Sequence, residues 1–477
     1  MKRSKHTLSH YRMVTGNMGE LMPIGCLPVL PGDTVQMSTD ALIRVTPLNT
    51  PVMHPTSVRI HHFFCPNRIV FDEWEEFITG GEDGASSAAI PTLANSTNKK
   101  SVLSYLGVPP ITATQVSELP LRAVNKIYNE YYRDQDLVSA RAENTNTIPN
   151  CAWEKDYFTT SRPWTQKGPA VSLPIGDSAP INYTGSAGGI LYGLADNEAG
   201  GGFAVGTAAN PATSTNASSG SANLEADLSS ATGVDVNDVR VAFALQRYQE
   251  ARARYGARFT EYLRYMGIRP SDSRLQRPEY LGGGSARLNF SEVLQTAPNA
   301  SSGTSGSDGV GDLYGHGIAG ARTNKFRKFF EEHGYIVTML SVRPKALYMN
   351  GVPREFLKTT KEDFFQKELQ HLGQQEVYQK ELYSENTDDV FGYQDRYEEY
   401  RYQPSQVSQD FRDTLDTWSM ARKLAPNPAL NEDFVTCDPD DRVFQVGTGT
   451  ADSLWIMANH HVVARRLVSK RANPRTF

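Results

Sequence analysis

The sequence predicts a mainly β protein, a β-sandwich into which helices and long loops are inserted. Segments with the two-residue alternation and the β-branched and aromatic residues of strands concentrate toward both ends of the chain. The strongest helical periodicity lies between them. Residues 176–233 are rich in Gly, Ala, Ser, Asn and Thr and lack the apolar residues that a separate core requires. We therefore expect a single domain over residues 1–477, with an insertion at 176–233.

The first strands are predicted between residues 35 and 70. Alternation is clear in ALIRV at Ala41–Val45, and SVRIHHFF at Ser57–Phe64 is enriched in β-branched and aromatic residues. Proline residues punctuate this region, and proline is tolerated only at strand ends, edges and bulges. The segments therefore predict short strands of a sandwich or barrel.

Three helices are predicted from apolar residues at helical spacing. A short helix covers Phe71–Phe77 and ends at the following glycine pair, and a longer one covers Leu121–Arg141. The strongest covers Asp238–Met266 and stops at Gly267. We expect four of its apolar side chains to face the core, namely Tyr255, Phe259, Tyr262 and Met266.

The carboxy-terminal part returns to strands. Gly334–Tyr348 has the composition of a strand, and Lys361–Arg401 is acidic and predicted to be helical or irregular. Arg442–Val446 and Ser453–Val463 are predicted to supply the last strands of the sandwich.

Basic residues collect at both ends of a chain whose formal net charge is -5. Residues 1–13 and 464–477 form two basic arms, because no acid precedes Glu20 and none follows Asp452. Arms of this kind suit the phosphates of a nucleic acid, and Tyr11 and Phe477 could stack on its bases. The alternative is a pair of ordinary solvated termini. The candidate DNA contacts are Lys2, Arg3, Lys5, Arg12, Arg465, Arg466, Lys470, Arg471 and Arg475.

No motif indicates catalysis, and we predict neither an enzyme nor a cofactor. The HExxH, GxSxG, P-loop and CxxC patterns are absent from the sequence. The four cysteines are far apart and are expected to be small buried side chains in a reducing compartment. Asp438, Asp440 and Asp441 could ligate a hard cation, although an acidic turn is the simpler interpretation. The first apolar stretch, Leu21–Leu30, is broken by prolines and too short to span a bilayer, so we expect no export and no membrane insertion.

A carbohydrate-binding or carbohydrate-cleaving β-sandwich is an alternative function for this fold class. Three tryptophans could stack on sugar rings: Trp153, Trp164 and Trp418. A monomeric DNA-binding module is less consistent with the sequence, because the basic residues gather at the ends of the chain.

Long segments of the chain resemble a known family. Ser9–Gly84 and Tyr255–Gln295, the latter with YGARFTEYLRYMGIRPSDSRLQRPEYLGGGSARLNF, are similar to the major capsid protein of the microviruses, specifically the gokushovirus branch. The similarity extends to His316–Tyr348 and to much of Trp418–Val463. The resemblance implies an eight-stranded viral jelly roll with large inserted loops. It also implies assembly through pentamers into a T=1 icosahedral shell around circular single-stranded DNA.

The same resemblance implies partners and a role for the insertion. The expected partners are other copies of the chain, the single-stranded DNA genome, small internal DNA-binding and scaffolding proteins of the phage, and a host cell-surface receptor. The expected locations are the virion and, during assembly, the host bacterial cytoplasm. By this resemblance, residues 176–233 build protrusions at the threefold axes for host attachment. The candidate packing residues there are Ile190, Leu191, Tyr192, Phe203 and Val205.

Overall fold

The computed structural model describes most of the chain. The described residues are 3–82, 86–95, 97–111, 115–169, 171, 181–183, 191–193, 203–205, 224–226, 236–256, 258–294, 296, 313–385, 388–445 and 451–470. The chain divides into two compact units. One comprises residues 1–165 together with 256–477, and the other comprises residues 166–255.

Strands dominate the described residues. They are β1 Ser4–Thr7, β2 His10–Gly16, β3 Leu21–Val29, β4 Thr34–Val45, β5 Thr56–Pro66, β6 Thr92–Ala94, β7 Gln115–Ser117, β8 Ile181–Tyr183, β9 Leu191–Gly193, β10 Phe203–Val205, β11 Leu224–Ala226, β12 Glu279–Leu294, β13 Leu313–Arg322, β14 Phe326–Phe329, β15 Gly334–Pro344, β16 Gln374–Tyr378, β17 Val390–Asp395 and β18 Leu454–Arg466.

Helices are shorter and fewer. The α-helices are α1 Trp74–Thr79, α2 Val102–Leu106, α3 Leu119–Ile127, α4 Val236–Tyr255, α5 Phe259–Tyr265 and α6 Glu432–Val435, and a π-helical turn covers Tyr128–Tyr132. Single 3-10 turns cover Asn67–Ile69, Arg354–Leu357, Lys367–Leu369, Gln379–Glu381, Glu398–Tyr400, Gln409–Arg412, Asp416–Trp418 and Asp441–Val443.

The first unit is built on one ten-stranded antiparallel sheet with two halves, called here the first and the second sheet, which are joined where the end of β12 pairs with β13. In the first sheet, β1 and β2 lie beside β18, followed by β4 and then by β13 with β14. In the second sheet the order is β12, β5, β15 and β3. When β1 with β2 and β13 with β14 are each counted as one position, consecutive strands alternate between the sheets except at the step from β5 to β12. Two sheets with four strand positions each and this connectivity form a jelly roll, which confirms the predicted fold class.

Two long insertions interrupt the jelly roll. Residues 67–278 connect β5 to β12, and residues 345–453 connect β15 to β18. Segments of both insertions pack on the outer side of the second sheet. There, Phe63 and Met339 of the sheet share a core with Val124 of α3 and with Phe434 of α6. The second sheet is therefore covered on both faces.

The space between the sheets holds the main core. Its inward positions are apolar and fully buried, as expected for a sandwich in which both sheets contribute alternate residues. Examples are Ile43, Val58, Ile60, Leu340, Val342 and Leu454.

A chain of hydrogen bonds crosses this core. His460 and His62, both with no exposed surface, are its two rings. The chain runs through the carbonyl of Ile24, His460, Thr39, Thr323, His62 and Thr338, with contacts between 2.8 and 3.1 Å. Nε2–H of His460 donates to the carbonyl, so a neutral His460 accepts the hydroxyl of Thr39 at Nδ1. We call this set the polar chain. It satisfies polar groups that would otherwise be costly to bury.

Several predicted elements are confirmed with different bounds. The strand predicted at Gly334–Tyr348 is β15, which ends at Pro344, and the strand predicted at Ser453–Val463 is β18. The helix predicted over Leu121–Arg141 ends early, because the backbone becomes extended at Arg133.

Three predictions of local structure are wrong. The described part of Arg442–Val446, residues 442–445, does not form a strand, because Asp440 caps a 3-10 turn at that point. The acidic segment Lys361–Arg401 contains the hairpin of β16 and β17. Tyr255, Phe259, Tyr262 and Met266 do not face the core, since each is more than two-fifths exposed. Gly256, with φ of 90°, lies between α4 and α5, which replace the single predicted helix.

The second unit contains α4 and two strand pairs. β8 pairs with β11, and β9 pairs with β10, all antiparallel. Because β9 and β10 lie between β8 and β11 in the sequence, the two pairs are nested hairpins. Within the described ranges, no helix of the chain is long and apolar enough to span a membrane.

Candidate nucleic-acid interface

The two basic ends of the chain meet on neighbouring strands. β1 pairs with the end of β18, so that Ser4 lies opposite Arg466 and Lys5 lies opposite Arg465. Both ends therefore lie at one edge of the first sheet, and their described parts are strands as far as Arg466 rather than free arms.

Three of the candidate DNA contacts are engaged within the fold. The guanidinium of Arg466 lies 2.9 Å from the carboxylate of the fully buried Asp33. Arg12 donates to the carbonyl of Tyr105 at 2.5 Å, and burial lowers the pKa of its guanidinium. Arg3 donates to the carbonyl of Gly32 at 3.0 Å. These cations hold the terminal strands in place.

Other candidates are available to solvent. Lys5 and Arg465 are exposed and lie side by side on the same face of the first sheet, and Lys470 is also exposed. Lys2, Arg471 and Arg475 lie outside the described residues, as does Phe477.

The outward face of the first sheet continues this basic edge. Outward residues align in register across the strands: Ile318, Arg44 and Trp455 form one row, and Arg322, Asp40, Asn459 and Tyr11 form another. We call this surface the open face. Its outward positions on β1, β2, β4, β13, β14 and β18 include the cations Lys5, Arg44, Arg322, Arg327 and Arg465.

Acidic residues are scarce on the open face. On the outward positions of these described strands, Asp40 is the one acidic residue, and it pairs with Arg322 at 3.2 Å and contacts His461 at 3.0 Å. The face therefore carries an excess of positive charge although the whole chain is mildly acidic. Such a distribution attracts polyanions.

Aromatic and apolar side chains occupy the other half of the open face. Tyr11 is 69% exposed and Trp455 is 47% exposed. Met13, Leu42 and Met457 lie in one row between them. A contiguous exposed apolar surface of this kind marks an interaction site.

A polar recess opens on the same face. Its volume is about 700 Å³. It is lined by Ser9, Gln36, Ser38, Arg322, Thr323, Asn324, Lys325, His461 and Val463. Hydroxyl, amide and cationic groups together provide the donors that a phosphate group accepts.

The neighbouring histidines separate by face, because adjacent residues of a strand point to opposite sides of the sheet. His460 points into the core and His461 points to the open face. His62 also points into the core, and His61 points to the opposite side of its sheet, where its Nδ1 lies 2.8 Å from the hydroxyl of Tyr132. No group of three or more His, Cys, Asp or Glu within the described part of the chain is placed to hold a metal. Asp440, one of the three candidate cation ligands, accepts from the backbone and side chain of Arg442.

The cysteines and the tryptophans were also assigned roles from sequence. Cys65, Cys151 and Cys437 are buried and all four cysteines are free thiols. Trp153 is only 4% exposed, and the guanidinium of Arg422 lies 4.9 Å from its ring centroid, so it cannot stack on a sugar. This burial removes one of the three supports for the carbohydrate alternative.

The insertion candidates have described backbones only in part. Leu191 lies opposite Val205, and Tyr192 lies opposite Ala204, within the pairing of β9 and β10. Phe203 lies opposite Gly193. Ile190 lies outside the described residues.

Sequence reasoning missed most of the open face. The alternation in β4 was recognised, but alternation does not tell which of two apolar sets faces outward. Leu42 and Ile43 are equally suited to a core. Arg44 lies on the same face of the strand as Leu42, and a charged residue marks the solvent side, so Leu42 points outward.

A comparison with known proteins assigns the family. A family model described as "Capsid protein (F protein)" matches residues 1–473. The chain belongs to this capsid protein family. It is 36% identical over 475 residues to "Capsid protein VP1" of Bdellovibrio phage phiMH2K, covering 91% of this chain and 87% of the relative. It is 30% identical to "Capsid protein VP1" of Chlamydia phage 1, covering 94% and 91% of the two chains. The protein of the same name from Spiroplasma virus 4 is 28% identical, with 91% and 88% covered.

These relatives confirm the resemblance to gokushovirus coat proteins. The protein is a structural capsid protein of a bacteriophage, it belongs to the virion, and its family implies self-assembly into a shell. The open face is then a surface of a coat subunit.

Proposed function

We propose that this coat protein assembles through pentamers into a T=1 icosahedral shell enclosing circular single-stranded DNA, and that its open face is turned toward the genome. The observation that carries this proposal is the composition of the open face. On the described strands of this face, five cations and three exposed aromatic rings, those of Tyr11, Phe329 and Trp455, accompany one acidic side chain, within a chain of formal net charge -5.

Single-stranded DNA offers two groups that this surface suits. Its phosphates are bound by cations that release counterions, and its unpaired bases stack on aromatic rings. Arg44 lies directly opposite Trp455 in the register, so a cation and a ring are neighbours on adjacent strands. The recess beside Arg322 and Lys325 supplies donors for a further phosphate.

The other proposed partners follow from the role in a shell. Small internal DNA-binding proteins of the phage would share the inner surface, scaffolding proteins would act during assembly in the host cytoplasm, and residues 176–233 would form threefold protrusions that contact a host receptor. The nested hairpins of β8 with β11 and β9 with β10 support a projecting insertion, because each pair returns the chain to where it began.

Binding of a thymidine oligonucleotide to the free subunit tests the genome-facing assignment. Arg44→Gln with Arg465→Gln removes two exposed cations from the open face. The salt dependence of binding should become shallower by about 0.7 in log K against log salt for each lost phosphate contact. Tryptophan fluorescence reports binding, because stacking on Trp455 quenches it.

The matched control removes two exposed cations elsewhere, by Lys361→Gln with Lys423→Gln. Particles of the open-face variant should also protect less DNA from nuclease per subunit than particles of the control. Equal salt dependence and equal protected DNA in the two variants would refute the genome-facing assignment.

A further inference from the structure

The segment around α5 exposes apolar side chains that the jelly roll does not bury. Phe259 is 60% exposed, and its ring stacks on that of Tyr262 with centroids 6.3 Å apart. Met266 and Ile268 are 57% and 50% exposed. We call these four residues the α5 knob. A cluster of this kind on a coat subunit indicates a contact surface.

The knob is held rigidly on its own subunit. The guanidinium of Arg258, immediately before α5, donates to the carbonyls of Glu130 at 2.9 Å and Asn129 at 2.8 Å. Thr260 is buried beside it. A preorganised surface loses little conformational entropy when a partner binds.

The knob is also surrounded by positive charge. Residues 258–278 contain five arginines and two acidic residues. Asp272 is paired with Arg277 at 3.3 Å, whereas Arg264, Arg269 and Arg274 are exposed and form no ion pair with another described residue. The partner of the knob should therefore be apolar and acidic.

A recess with these properties lies elsewhere on the same unit. It has a volume of about 540 Å³ and is lined in part by Pro353, Phe356, Tyr400 and Tyr402. Phe356 is 74% exposed at its mouth. Three glutamates and three basic residues also line it, namely Glu355, Glu381, Glu399, Arg354, Lys358 and Arg401.

Acidic charge extends beyond the recess. Residues 376–399 contain eight acidic residues and two basic ones. Within the recess, Glu399 is paired with Lys358 at 3.2 Å and Glu381 with Arg354 at 2.7 Å, while Glu355 has no ion-pair partner among the described residues. The recess thus combines an aromatic lining with a neighbouring segment, residues 376–399, that has an excess of acidic residues.

We propose that the α5 knob of one copy inserts into this recess of a second copy. Because the two surfaces differ, the contact is head-to-tail, and repetition of such a contact closes a ring when the rotation allows it. The inference rests on the proposed shell assembly and names the surfaces that make it. Aromatic side chains in a pocket are the usual energetic centre of such an interface, with the arginines and glutamates at its rim.

Two variants with one intact surface each test the proposal. Phe259→Asp with Tyr262→Asp disables the knob, and Phe356→Asp with Tyr400→Asp disables the recess. Either variant alone should self-associate at least a hundredfold more weakly than the wild type, since each truncated hot-spot aromatic weakens binding about tenfold or more. Ile78→Asp with Ile111→Asp, two exposed apolar residues elsewhere, is the control and should assemble normally.

Mixing the two disabled variants gives the decisive measurement. One good contact remains possible between them, so sedimentation should show dimers of one copy of each variant but no closed shells. Variants that each form shells as the wild type does, or a mixture that stays monomeric, would overturn the proposal. A wild type that never self-associates would instead refute the proposed shell function, and variants that fail only when other phage proteins are present would assign the knob to one of those proteins.

Discussion

Acidification should destabilise this coat subunit through the histidines of the polar chain. Burial lowers the pKa of His460 to about 4 and that of His62 to about 3. In an unfolded chain both would titrate near 6.5. Between these values the unfolded state binds more protons than the folded state, so stability is full above pH 6.5 and falls as the pH drops toward 4.

The size of the effect follows from the shift. A histidine with a pKa of 6.5 in the unfolded chain and about 4 in the folded chain makes the protein about 2 kcal/mol less stable at pH 5 than at pH 7.5. His460→Gln places a side chain that cannot titrate at this position. The loss between pH 7.5 and pH 5 should therefore be about 2 kcal/mol smaller in the variant than in the wild type.

Urea unfolding of the free subunit, followed by tryptophan fluorescence at pH 7.5 and pH 5, measures this difference. His461→Gln, at the exposed neighbour on the open face, is the control for replacing a histidine of β18 by glutamine. The reasoning fails if His460→Gln loses as much stability on acidification as the wild type does.

Four further outcomes are expected. Gly25→Ala places a Cβ 2.9 Å from Cε1 of the buried His460 ring and should cost about 1–3 kcal/mol, measured by thermal unfolding, with Gly320→Ala, which meets open space, as the control. Phe63→Ala should lower the free energy of unfolding by about 3–5 kcal/mol, because the ring is buried against Tyr131. Phe259→Ala should leave it almost unchanged, because that ring is exposed, and equal losses in the two variants would contradict this difference in burial. Asp33→Asn should cost about 3–5 kcal/mol by leaving Arg466 without its buried partner, and a neutral result in urea unfolding would show that the pair does not hold β18. Replacing residues 185–230 with a short Gly/Ser turn should leave the jelly roll folded, since closure entropy changes slowly with loop length, while particles lose adsorption to host cells; normal adsorption would exclude an attachment role.

The jelly-roll strands were largely predictable because they are two-sided. In β18, the apolar and β-branched composition identifies a strand, in which Ile456 and Ala458 are buried and Trp455 and Met457 are exposed. Alternation does not show which set is buried at these four positions, because both sets are apolar. The sequence marks the outward side of this sheet through Arg44 of β4, the neighbour of Trp455 in the register.

The α5 knob shows a different limit. Phe259, Tyr262 and Met266 have the spacing of a core-facing stripe, and a stripe that packs on another subunit has the same spacing. Helical periodicity reports that a face is apolar, not which molecule covers it. Likewise, the hairpin of β16 and β17 is hidden in an acidic segment, because its strands are short and only Val377 and Phe391 are apolar and buried.

Because β1 pairs with β18, the first sheet is completed only when synthesis of the subunit ends. β1 leaves the ribosome first, but its partner on β18 is made only at the end, which at ordinary translation speed is roughly 20–100 s later. Until then the first sheet lacks the strand that carries Trp455 and Arg465 and separates β4 from β1 and β2. A nascent chain consequently has no complete open face to offer to nucleic acid. If the open face contacts the genome as proposed, only a finished subunit can take part in packaging.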